Sequence, residues 1–283
     1  MKRIIINADD FGLHECVNEA VILGHTSGSI SSTSIMACGA AFEHAVSLTS
    51  RYPKLGVGVH LTLVAEYPVA PSYLIPSLVN QKGRMAEKYP VFLKQYLAGK
   101  IKIKDIYREL TAQVAKVLNY GVNITHLDSH QHMHVVPGII EVVIDIAKEF
   151  NIPAIRIPAE PVWFFGGYKS SAGRIIGRTG LSFLSLLARR KVRKAGIISP
   201  DYFFGMLAGG KMEEKLLVNI LKALPSNGVT EIMIHPGACD AILNDAYDWN
   251  FSWQAELGAA MSSQVKQILS GQNIELISFK DLT

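Results

Sequence analysis

Apolar residues recur along this chain in two alternating rhythms. Short β-branched runs give way to longer stretches in which apolar side chains return every three or four positions, the pattern of βαβ units and a parallel sheet. It predicts strands over 3–7, 30–36, 56–60, 123–126, 154–157, 231–234 and 274–278. Helical periodicity covers 40–49, 105–118, 138–150, 212–223 and 253–269. Pro137 and Gly138 stand where the third of these helices would start. Seven strands running one way make either an open doubly wound sheet or a closed barrel, and periodicity does not separate the two.

Two segments interrupt the rhythm. Residues 64–100, rich in Pro and Tyr, read as a long excursion after the third strand, where barrels place substrate-binding loops. The second, about 161–210, opens with Trp163, Phe164, Phe165 and Tyr168, a candidate dimer contact, sugar platform or lipid contact. From Lys169 to Lys194 it holds eight Lys or Arg and no acid, with apolar Leu181–Ala188 followed by Arg189, Arg190, Lys191, Arg193 and Lys194. One reading is a helix capping the main domain, its cations set against the carboxyl end of the helix dipole. The other is a surface that docks on anionic lipid or a lipid-linked substrate.

Composition narrows the class. At 283 residues, 49% apolar and 18% charged, the chain is too apolar for a disordered protein and long enough for a sizeable core, in one domain or two. Cys16, Cys38 and Cys239 are widely separated and form no C-x-x-C pair, so neither a disulfide framework nor a zinc knuckle is indicated and a reducing cytosol fits. MKRIIINADD reaches two carboxylates too soon for a signal-peptide core, and no long apolar run follows, which argues against secretion and membrane spanning. A net charge of +4 without zinc-finger or RRM-type patterns does not point to nucleic acid. Of nine His, four fall between 126 and 134.

Several predicted strands run into polar residues. RIIIN leads to Asp9 and Asp10, GVGV to His60, NIT to His126, Asp128 and His130, and EIMI to His235. In either parallel architecture the carboxyl ends of the strands converge on the ligand-binding face. Asp9-Asp10 alone would read as a turn or cap; with Gly12 letting the loop approach a ligand, one acid can bind a cation and the other take a proton, provided the strand has ended and both point inward. His60 alone would be a core imidazole. Strand alternation across 126–134 places His126, Asp128, His130, His132 and His134 on one face, a row that a metal would satisfy, with Asp128 fixing a His tautomer. His235, set by a tight turn at Pro236-Gly237, is a candidate general acid. Arg156, inside an apolar strand, needs a carboxylate: one of the Asp9-Asp10 pair, or an unrelated acid at the rim.

Taken in order, NADDFGL, GVGVHLTL, THLDSHQHMHVVP and IHPG resemble the YdjC-like family of carbohydrate deacetylases, over Ile4 to about Asp240. The resemblance implies a distorted (β/α) TIM-like barrel of about seven parallel strands, related to the polysaccharide deacetylases, over 1–283, with the aromatic and basic segment as its insertion. It implies Asp10, His60 and His130 as ligands of a divalent metal, Mg2+ in this family, though two imidazoles and a carboxylate also suit Zn2+ or another first-row ion. By analogy Asp9 is the base, His235 the acid, and Arg156 orients Asp9, with His126, His132 and His134 near the ligands or substrate. The implied reaction removes an N-acetyl group from an amino sugar. The length of the insertion resembles relatives acting on sugar-lipids, consistent with a cytoplasmic enzyme peripheral to the inner membrane face. The competing classes are a metal-dependent phosphoesterase, which wants a second metal; a glycosidase, which adjacent acids do not suit; and a non-catalytic sugar-binding protein.

Overall fold

The structure is a computed structural model describing residues 2–167, 171–271 and 273–282. Tyr168 and Lys169, part of the aromatic and basic patterns above, lie outside the described residues. Seven parallel strands form one curved sheet: β1 (Lys2–Phe11), β2 (Ser32–Ile35), β3 (Gly56–Leu61), β4 (Ile124–Ser129), β5 (Tyr202–Phe204), β6 (Val229–Ile234) and β7 (Ile274–Leu276). Their order is β4-β3-β2-β1-β6-β5, with β7 pairing to the start of β1. The sheet curls into a half-barrel with helices outside it, which resolves the choice between open sheet and barrel.

Two departures from the periodic reading have local causes. Segment 154–157 forms no full strand. It spans the gap between β4 and the approach to β5 through the single pairings Leu127–Ile155 and Ala154–Ile198. Pro153 and Pro158 flank it and contribute no N–H, so a longer ladder has no donors at either end. The apolar pattern over 253–269 is two helices, Trp253–Met261 and Ser263–Gly271, because Ser262 is extended and its hydroxyl accepts from the N–H groups of Gln264 and Val265. The periodic reading does not contain β5 or the helix Glu15–Ser27.

Alternation along the strands sorts the interior. Ile4, Ile6 and Ala8 of β1, Val57, Val59 and Leu61 of β3, and Ile232 and Ile234 of β6 pack outward against the helices in the main core. The inward positions make a graded column. Its floor is apolar: Ile5, Ala154, Val229, Ile277 and Phe279 cluster together. Above it comes a polar layer in which Asn7 donates to Ser34 (2.9 Å), Ser34 to Asp128 (2.6 Å), and His126 meets the Ser34 hydroxyl (3.1 Å). His126 therefore sits inside the barrel, stacked on Phe279 at 3.6 Å, and not at the mouth with the other imidazoles. Gly58 makes room for it: a Cβ there would lie 2.4 Å from the His126 ring.

Among the described residues no helix is long and apolar enough to cross a membrane. The basic segment contains the helix Ala172–Lys194, which packs outside the barrel through Arg178, Ser182, Ser185, Ala188 and Val192.

Candidate metal centre and active site

Asp9 and Asp10 both reach the site, though β1 has not ended there. The β1–β2 register advances by three residues on β1, Ala8 to Phe11, for two on β2, so β1 carries one extra residue. Asp10 absorbs it with a left-handed φ of 64°, a conformation that a short polar residue tolerates. The bulge is what turns two consecutive side chains to one side. Gly12, at φ 95°, is not a ligand contact: its added Cβ would meet the Met36 carbonyl at 3.2 Å, so the glycine serves the turn into the helix Glu15–Ser27.

His60 stands opposite Asp128 in the β3–β4 pairing, and its Nδ1 lies 2.9 Å from Asp128 Oδ1. That contact aims Nε2 at Asp10 Oδ1, 3.3 Å away. The alternation expected across 126–134 stops at Ser129, where the chain enters a short 3-10 turn, His130–Val135, with Gln131 and His132 left-handed. The turn scatters the imidazoles. His130 Nδ1 lies 3.1 Å from Asp10 Oδ1; His132 lines the cavity; His134 is tied to Ser129 (2.6 Å) and the Arg156 carbonyl (2.9 Å), a structural role. Burial holds His132 and His134 below the usual imidazole range, His134 down to about 4, and drives His126 to about 3, so all three are neutral.

Arg156 is fully buried and holds three carboxylates. Nη1 and Nη2 bind Asp9 Oδ2 and Oδ1, each at 2.7 Å; Nη1 also lies 2.8 Å from Asp128 Oδ2, and Nε donates to Glu231 at 2.7 Å. Glu231, inside the barrel on β6, is pushed up to about 8 by burial, against the pull of Arg156. Burial works against a charge on His60, yet Asp128 and Asp9 carry it up to about 10. Asp10, although burial opposes its ionisation, is held well below the usual carboxylate range by His130 and His60.

Asp10, His60 and His130 present ligand atoms within 4.8 Å of one another, and so do Asp9, His60 and Asp128. The partners decide between the two sets. Asp9 and Asp128 are already bound by Arg156, whereas Asp10 Oδ2 is buried without a hydrogen-bond partner. A buried carboxylate with Oδ1 against two imidazoles and Oδ2 unpartnered fits a divalent cation, and the one-carboxylate, two-imidazole set leaves coordination positions open. The donors do not select one metal.

These groups open on a cavity of ≈ 370 Å³ lined by Asp9, His60, His130, His132 and His235 together with Tyr89, Met206, Trp249 and Phe251. His235 is not held by a tight turn, since residues 235–237 form none and Gly237 donates to the Trp253 carbonyl. What fixes it is Glu256, whose carboxylate accepts from the backbone N–H groups of His235 and Met212 and stands 3.8 Å from His235 Nδ1. Burial disfavours a charge on this ring, but Glu256, with Asp10 and Asp9 further off, raises it above the ordinary imidazole range.

The model of YdjC-like proteins matches residues 3–271. The chain belongs to the YdjC-like family. Relatives include a carbohydrate deacetylase of Clostridium beijerinckii, 31% identical over 99% of this chain and all of that one, and another of Brevibacillus brevis, 29% identical over 99% of each. Among solved structures, an Enterococcus faecalis protein assigned to cellobiose-phosphate cleavage superposes with a TM-score of 0.79 at 24% identity, over all of this chain and 99% of that one. That likeness shows the fold.

In this family member the site also uses residues outside the motifs. Glu231, Glu256, Trp249 and Phe251 were not read from sequence. EIMIH shows Glu231 at an inward position two residues before Met233, a signal of the same kind that marked Arg156. Glu256 lies in the first turn of the helix Trp253–Met261 and carries no such mark. The aromatic wall comes from Trp249 and Phe251 with Tyr89 of the 64–100 excursion, while Trp163 lies outside the cavity lining.

Proposed function

We infer that the chain is a metal-dependent carbohydrate deacetylase that hydrolyses the N-acetyl group of an amino sugar. The observation that carries this is one cavity lined by His60 and His130, which form a cradle with Asp10 behind them, by an Arg156-bound Asp9 and by a Glu256-bound His235. The name shared by the curated relatives supports the reaction class.

A bound divalent cation supplies Lewis acidity toward a water and the acetyl carbonyl. The remaining work falls to side chains. Asp9 Oδ1 accepts from both Arg156 and Asn7, while Oδ2 accepts only from Arg156, so Oδ2 keeps a lone pair for the proton of the attacking water. The bidentate guanidinium stops the carboxylate from rotating away. His235, kept protonated by Glu256, donates to the departing nitrogen, so that water is consumed and acetate and the free amine leave. Trp249, Phe251 and Tyr89 offer flat apolar faces to a sugar ring. Mg2+, Zn2+ and other first-row ions are all compatible with the cradle. A two-metal phosphoesterase is disfavoured because Arg156 already occupies Asp9 and Asp128 of the second ligand set. We place the enzyme in the cytoplasm, and its substrate is an N-acetylated oligosaccharide or glycolipid.

The test is acetate release from N-acetylated chitooligosaccharides and an N-acetylated glycolipid after chelation and re-addition of Mg2+, Zn2+, Mn2+ or Co2+. Activity should return with metal, and Asp9→Asn should lower the rate by about 100-fold or more. Failure of every metal to restore turnover, or an Asp9→Asn rate within about threefold of the parent, overturns the reading.

A further inference from the structure

We propose that the outward face of the helix Ala172–Lys194 docks the protein on an anionic lipid surface, with the mouth of the cavity beside the contact. This helix buries its small and polar side and exposes its large apolar residues. Arg178, Ser182, Ser185, Ala188 and Val192 face the protein, while Ile176 is 72% exposed, Phe183 63%, Leu186 50% and Leu187 39%. The inversion is regular. Ile176, Phe183, Leu187, Arg190 and Lys194 follow one another by seven, four, three and four residues, so they share one stripe that begins apolar and ends in two exposed cations.

The neighbouring loop adds an exposed aromatic of its own. Arg178 donates to the carbonyls of Val162 and Phe164, which holds the loop against the helix while Trp163 stays 61% exposed. An exposed Trp and an exposed apolar stripe in one basic segment are the composition of a membrane-interface contact. Charge selects the occupant. The helix carries seven Lys or Arg and no Asp or Glu; Arg178 is buried and Lys191 and Arg193 pair with Glu141 and Asp201, so Arg190 and Lys194 are the exposed cations that end the stripe. A second copy docked on the same stripe would offer no acid to these cations. An anionic headgroup layer offers many, with Arg190 and Lys194 reaching it while the apolar stripe enters the acyl boundary. The helix is too charged to span, so it lies on the surface.

Its position relative to the site adds a purpose. Arg174 donates to the carbonyls of Leu207 and Ala208, in the loop whose Met206 and Gly209 line the cavity. Docking therefore presents the cavity to material carried by the lipid surface. That last clause rests on the deacetylase reading; the docking does not.

Sedimentation of the full chain with vesicles tests it, using phosphatidylcholine alone and phosphatidylcholine with about 30% phosphatidylglycerol. The parent should bind the anionic vesicles and not the neutral ones. Phe183→Ser with Leu187→Ser, and separately Arg190→Glu with Lys194→Glu, should each weaken binding by about tenfold or more and leave acetate release from a soluble oligosaccharide unchanged. No sedimentation, equal binding to both vesicle types, or binding unaffected by the substitutions overturns the proposal. So does a dimer in solution that the Ser substitutions dissociate without any vesicle binding. Acetate release without docking removes this inference alone; docking without acetate release removes only the catalytic reading.

Discussion

Replacing Arg156 by Met should be the most damaging single change to the metal-free protein. The guanidinium is fully buried and supplies the hydrogen bonds that hold Asp9, Asp128 and Glu231. Met fills comparable volume, so the loss is electrostatic. Removing one partner of a buried ion pair costs about 3–5 kcal/mol, because the partner charge stays buried and uncompensated. Glu231 softens the penalty at neutral pH, since burial already pushes it up to about 8 and it remains largely protonated. Asp128, held well below the usual carboxylate range by Arg156 and His60, has no such release. A chain of this size loses roughly 2–4 °C per kcal/mol, so the midpoint should fall by roughly 10 °C in calorimetry on chelated protein. Arg156→Lys keeps the charge but cannot offer the planar fork to Asp9 together with a third donor to Glu231, and should fall between the two. Turnover should drop by about 100-fold or more in both variants through loss of Asp9 alignment. Because Glu231 ionises only near pH 8, the coupling in an Arg156→Met and Glu231→Gln cycle should be small at pH 7 and grow above pH 8. An Arg156→Met protein within about 1 kcal/mol of the parent would refute the view that these carboxylates depend on the guanidinium.

Metal binding should release protons. His60 is held protonated up to about pH 10 in the metal-free site and must be neutral to ligate, so about one proton should leave per ion at pH 7, read by titration calorimetry in buffers of different ionisation enthalpy. Zero release would contradict His60 as a ligand. Without metal, His60 and Glu231 both have folded-state values above their unfolded ones, so the stability they contribute is full below about pH 4.5 for Glu231 and 6.5 for His60. It is lost as pH rises through about 8 and about 10 respectively, which urea titrations across pH 4–10 can follow. Glu256→Gln should move the alkaline limb of the pH–rate profile to lower pH, because Glu256 helps keep His235 protonated, and should cost about 1–3 kcal/mol because one of the two backbone N–H groups then faces an amide NH2. Gly58→Ala should destabilise the fold by about 1–3 kcal/mol or more, since its methyl would lie 2.4 Å from a His126 ring pinned on Phe279; unchanged denaturation would show that the ring can move aside.

Much of the architecture was legible before the fold was known, for a local reason. β1, β3, β4 and β6 announce themselves because strand alternation and apolar content are properties of neighbouring residues, and parallel strands deliver their carboxyl ends to one face whichever barrel or sheet they form. Asp9, Asp10, His60, His130 and His235 stood at those ends, so their convergence could be read from positions alone. What the sequence could not supply was any relation set by distant chain. The bulge at Asp10 shows only in the register against β2, and the scattering of His130, His132 and His134 depends on a turn that breaks the alternation at Ser129. Segment 154–157 reads as a strand but lacks the donors to complete a ladder between its neighbours. Glu256 acts on His235 from a helix 21 residues away. Which imidazole ligates, which stacks on Phe279 and which ties down a carbonyl is decided by the partners that folding brings within about 3 Å, because hydrogen bonds and ion pairs act over that range and sequence order carries no record of it.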